Sequence, residues 1–356
     1  MNTLMLPDYR GVNAYQQLLA DALSACGVEV SFLSGYRRVL PITRGLPRPV
    51  PDVIHLHWIG AYVRGTSTLQ RYAYAAKFLA DLRLAQSQGV RVVWTLHNIR
   101  SHDTPFPTVD AWVRKRLLQR VDAVIVHDPY TRDLVIQDLG ASPETVTVVP
   151  HGHYRSLYDP PPDAASARKA LGLPTTANRL FLHLGIVRPY KGISDLLDAW
   201  PRHLQEHPED HLVIAGKPLD GAYGRTLKEK AAPLDHVDLR LGYVDDDDIP
   251  LYFGAADTSV LPFRNITTSG SLVLAASFGL PVVAPRYAGL EFVLQSADDL
   301  MYDPTSTVPS IVRALGQASR ADIEDLSVRT QHDCDRLDWS RVARLTRSVY
   351  TPDGNE

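Results

Sequence analysis

Short apolar runs rich in valine and isoleucine recur along the chain, separated by longer amphipathic stretches. This alternation is typical of parallel strands connected by helices, so the pattern predicts an α/β fold. The predicted strands cover residues 28–33, 52–57, 90–95, 122–127, 180–185, 211–216, 237–241, 258–261 and 281–284. The predicted helices include residues 14–26, 193–204, 271–278 and about 340–350.

A proline-rich stretch divides these strands into two arrays. The segment Asp-Pro-Pro-Pro-Asp at residues 159–163 can continue neither a helix nor a central strand. A chain of 356 residues is also longer than one hydrophobic core usually fills. We therefore predict two βαβ domains, at residues 1–160 and 161–339. The last helix, within residues 340–356, is a candidate to pack back on the first domain.

Composition excludes several classes of function. A net charge of −3 and a pI near 6.5 give no general attraction to nucleic acid, so we expect no nucleic-acid partner. Cys26 and Cys334 lack metal-ligand spacing and are interpreted as reduced thiols. No apolar run has the length of a signal peptide or of a membrane span, about 20 residues, which predicts a cytoplasmic protein. Peripheral contact with the inner face of the membrane stays open, because a short basic or aromatic surface would suffice.

The loop at residues 185–192 places two cations after a predicted strand and before a predicted helix. Arg188 offers a rigid fork for phosphate oxygens, and Lys191 offers a point charge. Gly185 and Gly192 permit close approach of the backbone to a ligand. An anion site and a solvated loop with two unrelated charges are the two interpretations that this loop allows.

A hydroxyl-rich segment precedes the next apolar helix, and its members are Thr268, Ser269, Gly270 and Ser271. Unpaired N–H groups and the helix dipole make such a helix start an anion site. Ordinary N-capping by a serine or threonine is the alternative. Since the same predicted domain also carries the two cations, the segments together favour a diphosphate site.

Polar residues at strand ends of the first half offer less specific signals. We expect His55 and His57 to point to opposite faces of their strand, which argues against a shared metal. The acidic run at residues 245–248 is interpreted as a solvated turn. Both points favour metal-independent chemistry.

Asn13 either caps the first long helix or contacts a ligand.

Several segments, taken in order, resemble the donor-binding domain of GT-B glycosyltransferases, especially the family 4-like group of bacterial polysaccharide and glycolipid assembly. Residues 185–192 match its G-x-x-x-x-x-K-G element, and residues 242–252 resemble its G-x-V-x-D-x-x-h-x-x-h-Y run with one position fewer before the tyrosine. Residues 279–284 match its G-x-P-h-h-A strand. More loosely, residues 55–58, 95–98 and 149–152 resemble strand ends of its acceptor domain.

The resemblance implies two Rossmann-like domains that face each other across a cleft, with acceptor binding in the first and donor binding in the second. It implies transfer of a hexose from GDP-mannose or a UDP-hexose to a lipid-linked, polysaccharide or other glycan acceptor. The nucleotide-sugar is then a co-substrate, and no cofactor is expected. Arg188 and Lys191 would contact the diphosphate. The residues implied for the nucleoside are Gly216, Tyr243, Val244 and Glu291, and those implied for the acceptor side are Arg10, Gly11, Asn13 and His57.

One departure concerns the mechanism. Many retaining members carry two glutamates spaced E-x7-E, and Ile266 and Leu274 stand at those positions here. The stereochemistry therefore stays open. If the reaction inverts the anomeric centre, a general base must deprotonate the acceptor. Asp103 is the first candidate, with His97 and His102 as alternatives.

Two other functions compete with sugar transfer. The missing glutamates allow a non-catalytic nucleotide-sugar-binding protein, and a GT-B relative such as a nucleotide-sugar epimerase is also open. A dinucleotide-dependent oxidoreductase is excluded, because no G-x-G-x-x-G follows any predicted strand.

Overall fold

The computed structural model describes residues 1–33, 39–99 and 105–351. Their contacts divide the chain into two compact units. Unit 1 comprises Met1–Gly152 and the segment that begins at Leu337, and unit 2 comprises His153–Arg336. The sequence-based boundary at residue 160 lies within unit 2. Each unit contains a six-stranded sheet in its described residues, and all strand pairs are parallel, which confirms the expected α/β class.

Unit 1 has the strand order β2-β1-β3-β4-β5-β6. Its strands are β1 (Asn2–Leu6), β2 (Glu29–Phe32), β3 (Val53–Leu56), β4 (Arg91–Thr95), β5 (Ala123–Val126) and β6 (Val146–Val148). Its first helices are α1 (Tyr15–Ala25), α2 (Thr68–Gln86), α3 (Pro107–Leu118) and α4 (Pro129–Gln137).

Unit 2 has the strand order β12-β11-β10-β7-β8-β9. Its strands are β7 (Leu180–Leu184), β8 (His211–Ala215), β9 (Val237–Arg240), β10 (Thr258–Val260), β11 (Val282–Pro285) and β12 (Met301–Tyr302). Its helices are α5 (Ala164–Ala170), α6 (Ile193–Glu206), α7 (Gly221–Ala231), α8 (Ile249–Ala255), α9 (Gly270–Ser277), α10 (Ala288–Glu291), α11 (Thr307–Arg320) and α12 (Ile323–Asp335).

The last helix, α13 (Trp339–Tyr350), follows unit 2 in sequence but packs against α1 in unit 1. Consecutive residues of the unit 1 strands point to opposite faces of the sheet, as strand geometry requires. Ile54 and Val92 belong to the core cluster that includes residues of α2 and α3. Val53 and Val93 belong to the cluster that includes residues of α1 and α13. Odd-numbered positions of β3 and β4 therefore face the α1 and α13 layer.

Three strands escaped the sequence analysis. β1 pairs with both β2 and β3, and Met5 and Leu6 are fully buried. Its leucines and methionine favour helices as much as strands, so its composition gave no strand signal. β6 and β12 span three and two residues, which is too short for a periodic pattern to appear.

None of the helices in the described ranges combines the length and the apolar character of a membrane span.

Candidate active site

Glycines let the strand ends of unit 2 pack backbone against backbone. Gly192 has φ 72°, and a Cβ there would overlap the carbonyl oxygen of Pro262, which follows β10. Gly216 ends β8 with φ 149°, and a Cβ there would overlap the carbonyl oxygen of Gly185 at the end of β7. Side chains are excluded at both positions, so the loop after β7 lies tightly against its neighbours at the carboxyl edge of the sheet.

Lys191 is the buried cation of this loop. Only 7% of its surface is exposed, and its Nζ donates a hydrogen bond of 2.9 Å to Oγ of Ser271. The ammonium also lies 4.8 Å from the ring centre of Phe263. Among the described residues, no carboxylate lies within ion-pair distance of it. Burial, followed by the neighbouring charge of Arg188, lowers the pKa of Lys191 to about 8.

The start of α9 completes the group. Ser269 is buried, and its Oγ accepts the backbone N–H of Leu272 at 3.1 Å, so the expected N-cap is present. Ser271 lies in the first turn and holds Lys191, while Gly270 is exposed and Thr268 is half-buried just before the helix. The two segments singled out from sequence thus meet at one point. A buried cation, a second cation and a helix N-terminus form an arrangement suited to an anion.

The predicted nucleoside residues divide between two places. Gly216 and Tyr243 follow β8 and β9, which are neighbours in the sheet, and Tyr243 is 72% exposed. Val244 is half-buried beside Tyr243. Glu291 follows β11, and three strands, β10, β7 and β8, lie between β11 and β9 in the sheet. Its carboxylate forms an ion pair of 2.9 Å with Arg286. The structure therefore groups the first three and places Glu291 elsewhere in unit 2.

In unit 1, five histidines cluster at the carboxyl edge of the sheet, and they are His55, His57, His97, His127 and His151. The rings of His55 and His57 are 4.2 Å apart, so the expectation that they point to opposite faces was wrong. Residues two apart in a strand share a face, and both face the α1 and α13 layer. Despite the number of imidazoles, no three His, Cys, Asp or Glu side chains in the described ranges are placed to hold a metal ion.

Hydrogen bonds and aromatic contacts fix the rings of this histidine cluster. Nδ1 of His57 lies 3.1 Å from Nε2 of His97, and Nδ1 of His97 lies 3.2 Å from Nε2 of His127. His55 bonds Oη of Tyr350 through Nδ1 and Oγ1 of Thr95 through Nε2, each at 2.7 Å.

Aromatic rings enclose the histidine cluster. Tyr15 of α1 contacts four of the imidazoles edge-on or tilted, and Trp58 stacks on His97 at 4.2 Å and 11°.

Burial favours the neutral form of the imidazoles in this cluster. Burial, with the mutual repulsion of imidazolium charges, lowers the pKa of His55 and of His151 to about 3. The same causes hold the pKa of His57 and of His97 well below the usual range.

Sequence reasoning selected His57 and His97 from this cluster but not His127, His151 or Trp58. The available signal was the repeated placement of histidine at the ends of successive strands. The other two candidates for the base, His102 and Asp103, lie outside the described residues, so their assignment stays a prediction.

The predicted acceptor-side residues near α1 have local roles. Arg10 pairs with Asp8 at 2.9 Å and lies over the ring of Phe32. Oδ1 of Asn13 accepts the backbone N–H of Tyr15, the first residue of α1, at 2.9 Å, whereas the N-cap position of α1 is Ala14, which has no capping side chain. Gly11 is exposed with open space where a Cβ would stand.

Comparisons with known proteins also divide the chain into two parts. A family model described as "Glycosyltransferase Family 4" matches residues 9–154, and one described as "Glycosyl transferases group 1" matches residues 178–320. A GDP-mannose:glycolipid 4-beta-D-mannosyltransferase of Xanthomonas campestris pv. campestris is 32% identical, over 84% of this chain and 79% of that protein. The chain belongs to the family 4-like, group 1 glycosyltransferases. It is therefore an enzyme, as the resemblance of its motifs implied.

Other glycosyltransferases are similar over most of their length. A D-inositol 3-phosphate glycosyltransferase of Thermobispora bispora is 28% identical, over 95% of this chain and 78% of that protein. HepE of Anabaena, solved with UDP-glucose, superposes with a TM-score of 0.72 at 19% identity, over 98% of this chain and 99% of HepE. Sucrose-phosphate synthase of Thermosynechococcus elongatus superposes with a TM-score of 0.71 at 18% identity, over 98% of both chains. These structural neighbours confirm the GT-B class.

This glycosyltransferase carries apolar residues where many retaining members have glutamates. Ile266 is 7% exposed, and Leu274 lies half-buried in α9. Neither side chain can accept a hydrogen bond from a ribose or sugar hydroxyl.

Proposed function

We propose that this glycosyltransferase moves a hexose from a nucleoside-diphosphate sugar to a glycan or glycolipid acceptor, and that Lys191 and Arg188 hold the diphosphate. The burial of Lys191, with no carboxylate of the described residues within ion-pair distance, carries this proposal. A buried ammonium that is held by a serine hydroxyl and aromatic rings, without a counter-charge among the described residues, is costly for the free protein. An anionic ligand at this point would offset that cost, and a diphosphate is the anion that the donor supplies.

The same groups suit the chemical step. Transfer breaks the bond between the anomeric carbon and the diphosphate oxygen, and negative charge develops on the departing diphosphate. Lys191 and Arg188 would stabilise that charge together with the N–H groups of the first turn of α9. Thr268 and Ser269 line the entry to the turn. Because these groups supply the positive charge, we propose that the reaction needs no metal ion.

Tyr243 and Gly216 are proposed for the nucleoside, with Val244 beside them. Tyr243 is 72% exposed, and it lies next to the end of β8, where Gly216 has no side chain. An exposed aromatic ring in this position suits stacking on a base. Glu291 is the less favoured residue, because its carboxylate already pairs with Arg286.

GDP-mannose is the first donor to test, with UDP-hexoses as the alternative. The Xanthomonas relative, at 32% identity, is named for GDP-mannose and a glycolipid acceptor, whereas HepE, solved with UDP-glucose, is 19% identical. If transfer inverts the anomeric centre, as the apolar Ile266 and Leu274 favour, a base is required. Asp103 stays the first candidate, with His102 and His97 as alternatives. Arg10, Gly11, Asn13 and His57 are proposed to lie on the acceptor side.

Substitution of Lys191 by methionine tests the proposal, with Lys228→Met on the exposed face of α7 as matched control. Sugar transfer from GDP-mannose and from UDP-glucose would be measured through the release of the nucleoside diphosphate. We expect Lys191→Met to lower kcat about 100-fold, as loss of one transition-state donor does, and Lys228→Met to retain activity. Unchanged transfer by Lys191→Met would refute the assignment of the diphosphate site.

A further inference from the structure

His57, His97 and His127 form one chain of imidazole hydrogen bonds. The two links measure 3.1 Å and 3.2 Å, and each uses Nδ1 of one ring and Nε2 of the next. At the far end, Nδ1 of His127 lies 3.0 Å from the carbonyl oxygen of Val149. The chain thus starts at a backbone carbonyl after β6 and ends at His57 after β3.

The carbonyl fixes the direction of the whole chain. A carbonyl oxygen only accepts, so Nδ1 of His127 carries a hydrogen. In neutral imidazoles Nε2 of His127 is then an acceptor, and it takes its hydrogen bond from Nδ1–H of His97. The same rule makes Nε2 of His97 the acceptor of Nδ1–H of His57. Reversing the chain would set a nitrogen lone pair of His127 against the lone pairs of Val149.

The fixed direction leaves one open acceptor at the other end. Nε2 of His57 is buried and has no hydrogen-bond partner within the described part of the chain. Nε2 of His57 is also the nitrogen whose lone pair the donors and acceptors assigned above leave unused. All three rings are therefore assigned the same tautomer, with hydrogen on Nδ1.

His97 occupies the middle and has no nitrogen to offer. Both of its nitrogens are engaged by other imidazoles, and Trp58 stacks on its face at 4.2 Å. His57 and His127 are 2% and 3% exposed, whereas His97 as a whole residue is half-buried, so His97 is the least buried of the three.

We propose that His57 and His127 are positioning residues that hold His97 between them as its Nδ1–H tautomer, so that neither ring nitrogen of His97 takes a proton from the acceptor. This inference rests on the proposed sugar transfer. It removes His97 from the candidates for the general base and leaves Asp103 and His102.

Two pairs of substitutions test the assignment. The amide nitrogen of asparagine takes the place of Nδ1 of histidine, and the amide of glutamine takes the place of Nε2. His57→Asn keeps the donor to His97, whereas His57→Gln loses it. His127→Gln keeps the acceptor for His97, whereas His127→Asn loses it. Asparagine should therefore be the less damaging residue at 57, and glutamine the less damaging residue at 127.

The measurement is kcat and KM for the acceptor, with urea unfolding followed by tryptophan fluorescence as the check that unit 1 is folded in each variant. We expect kcat/KM to be about 10-fold or more higher in His57→Asn than in His57→Gln, and about 10-fold or more higher in His127→Gln than in His127→Asn. Equal losses within each pair, or the opposite preference, would overturn the proposal, because a role in filling space does not distinguish the amides in this crossed way.

Tautomers can be measured without activity. Long-range correlation of the ring protons with the ring nitrogens distinguishes Nδ1–H from Nε2–H and from imidazolium. We expect Nδ1–H at His57, His97 and His127 at neutral pH. Hydrogen on Nε2 of His97, or an imidazolium there, would sink the inference. If the wild type transfers no sugar from any donor tested, the proposed function fails, while the spectra still decide the tautomers.

Discussion

Acidification should destabilise unit 1 through its buried histidines. The folded protein keeps His55 and His151 neutral, with the pKa of each lowered to about 3, whereas in the unfolded chain the pKa of a histidine is near 6.5. Below about pH 6.5 the unfolded chain therefore binds protons that the folded protein does not. The free energy of unfolding must fall as the pH falls through this range.

The magnitude follows from the same two values. At about pH 5.5 the unfolded state gains about 1.4 kcal/mol for each such histidine, relative to about pH 7.5. His55 and His151 alone then account for a loss of about 3 kcal/mol. The lowered pKa values of His57, His97 and His127 act in the same direction. Aspartates and glutamates stay largely ionised over this interval and contribute little.

Urea unfolding followed by tryptophan fluorescence is the suitable assay, because four of the five tryptophans (Trp58, Trp94, Trp112 and Trp339) belong to unit 1. The midpoint should move to lower urea at about pH 5.5. His151→Asn should make the pH dependence of the free energy of unfolding shallower by about one proton. Midpoints that coincide at the two pH values would refute the burial argument.

Three further predictions concern single positions. Because the pKa of Lys191 is about 8, raising the pH from about 7 to about 9 should deprotonate it and weaken nucleoside diphosphate binding about 10-fold in calorimetric titration; a flat affinity would contradict its assigned role. Gly192→Ala should cost about 2–4 kcal/mol in the free energy of unfolding, because of its positive φ and the carbonyl of Pro262, while Gly11→Ala should cost almost nothing; equal effects would be evidence against the tight loop. Asn13→Ala should cost about 1 kcal/mol and leave the KM for the acceptor unchanged if Asn13 only bonds the backbone at the start of α1, and a raised KM would show that it contacts the ligand.

Strand positions were predictable where the residues themselves prefer strands. The valine-rich runs behind β3, β4 and β5 were located within one or two residues, because branched side chains suit a buried parallel sheet. β1 was not, since its position in the sheet comes from tertiary packing between β2 and β3.

The proximity of the two segments proposed for the donor was predictable, because they follow β7 and β10, which are adjacent parallel strands. Loops at the carboxyl ends of such strands meet at one edge, which brings Lys191 to Ser271 across 80 positions of sequence. The histidine chain needed the register of four strands and the face on which each ring lies. Sequence spacing alone did not supply these, and the face assigned to His55 and His57 was wrong.

The core of unit 1 is complete only when α13 is present, and α13 follows unit 2 in the sequence. Trp339 and Val342 are core residues of unit 1, and Tyr350 hydrogen-bonds to His55 inside it. During synthesis, the first 152 residues emerge long before the helix that covers one face of their sheet. A fragment that ends at residue 152 would therefore leave the layer beside α1 open to solvent.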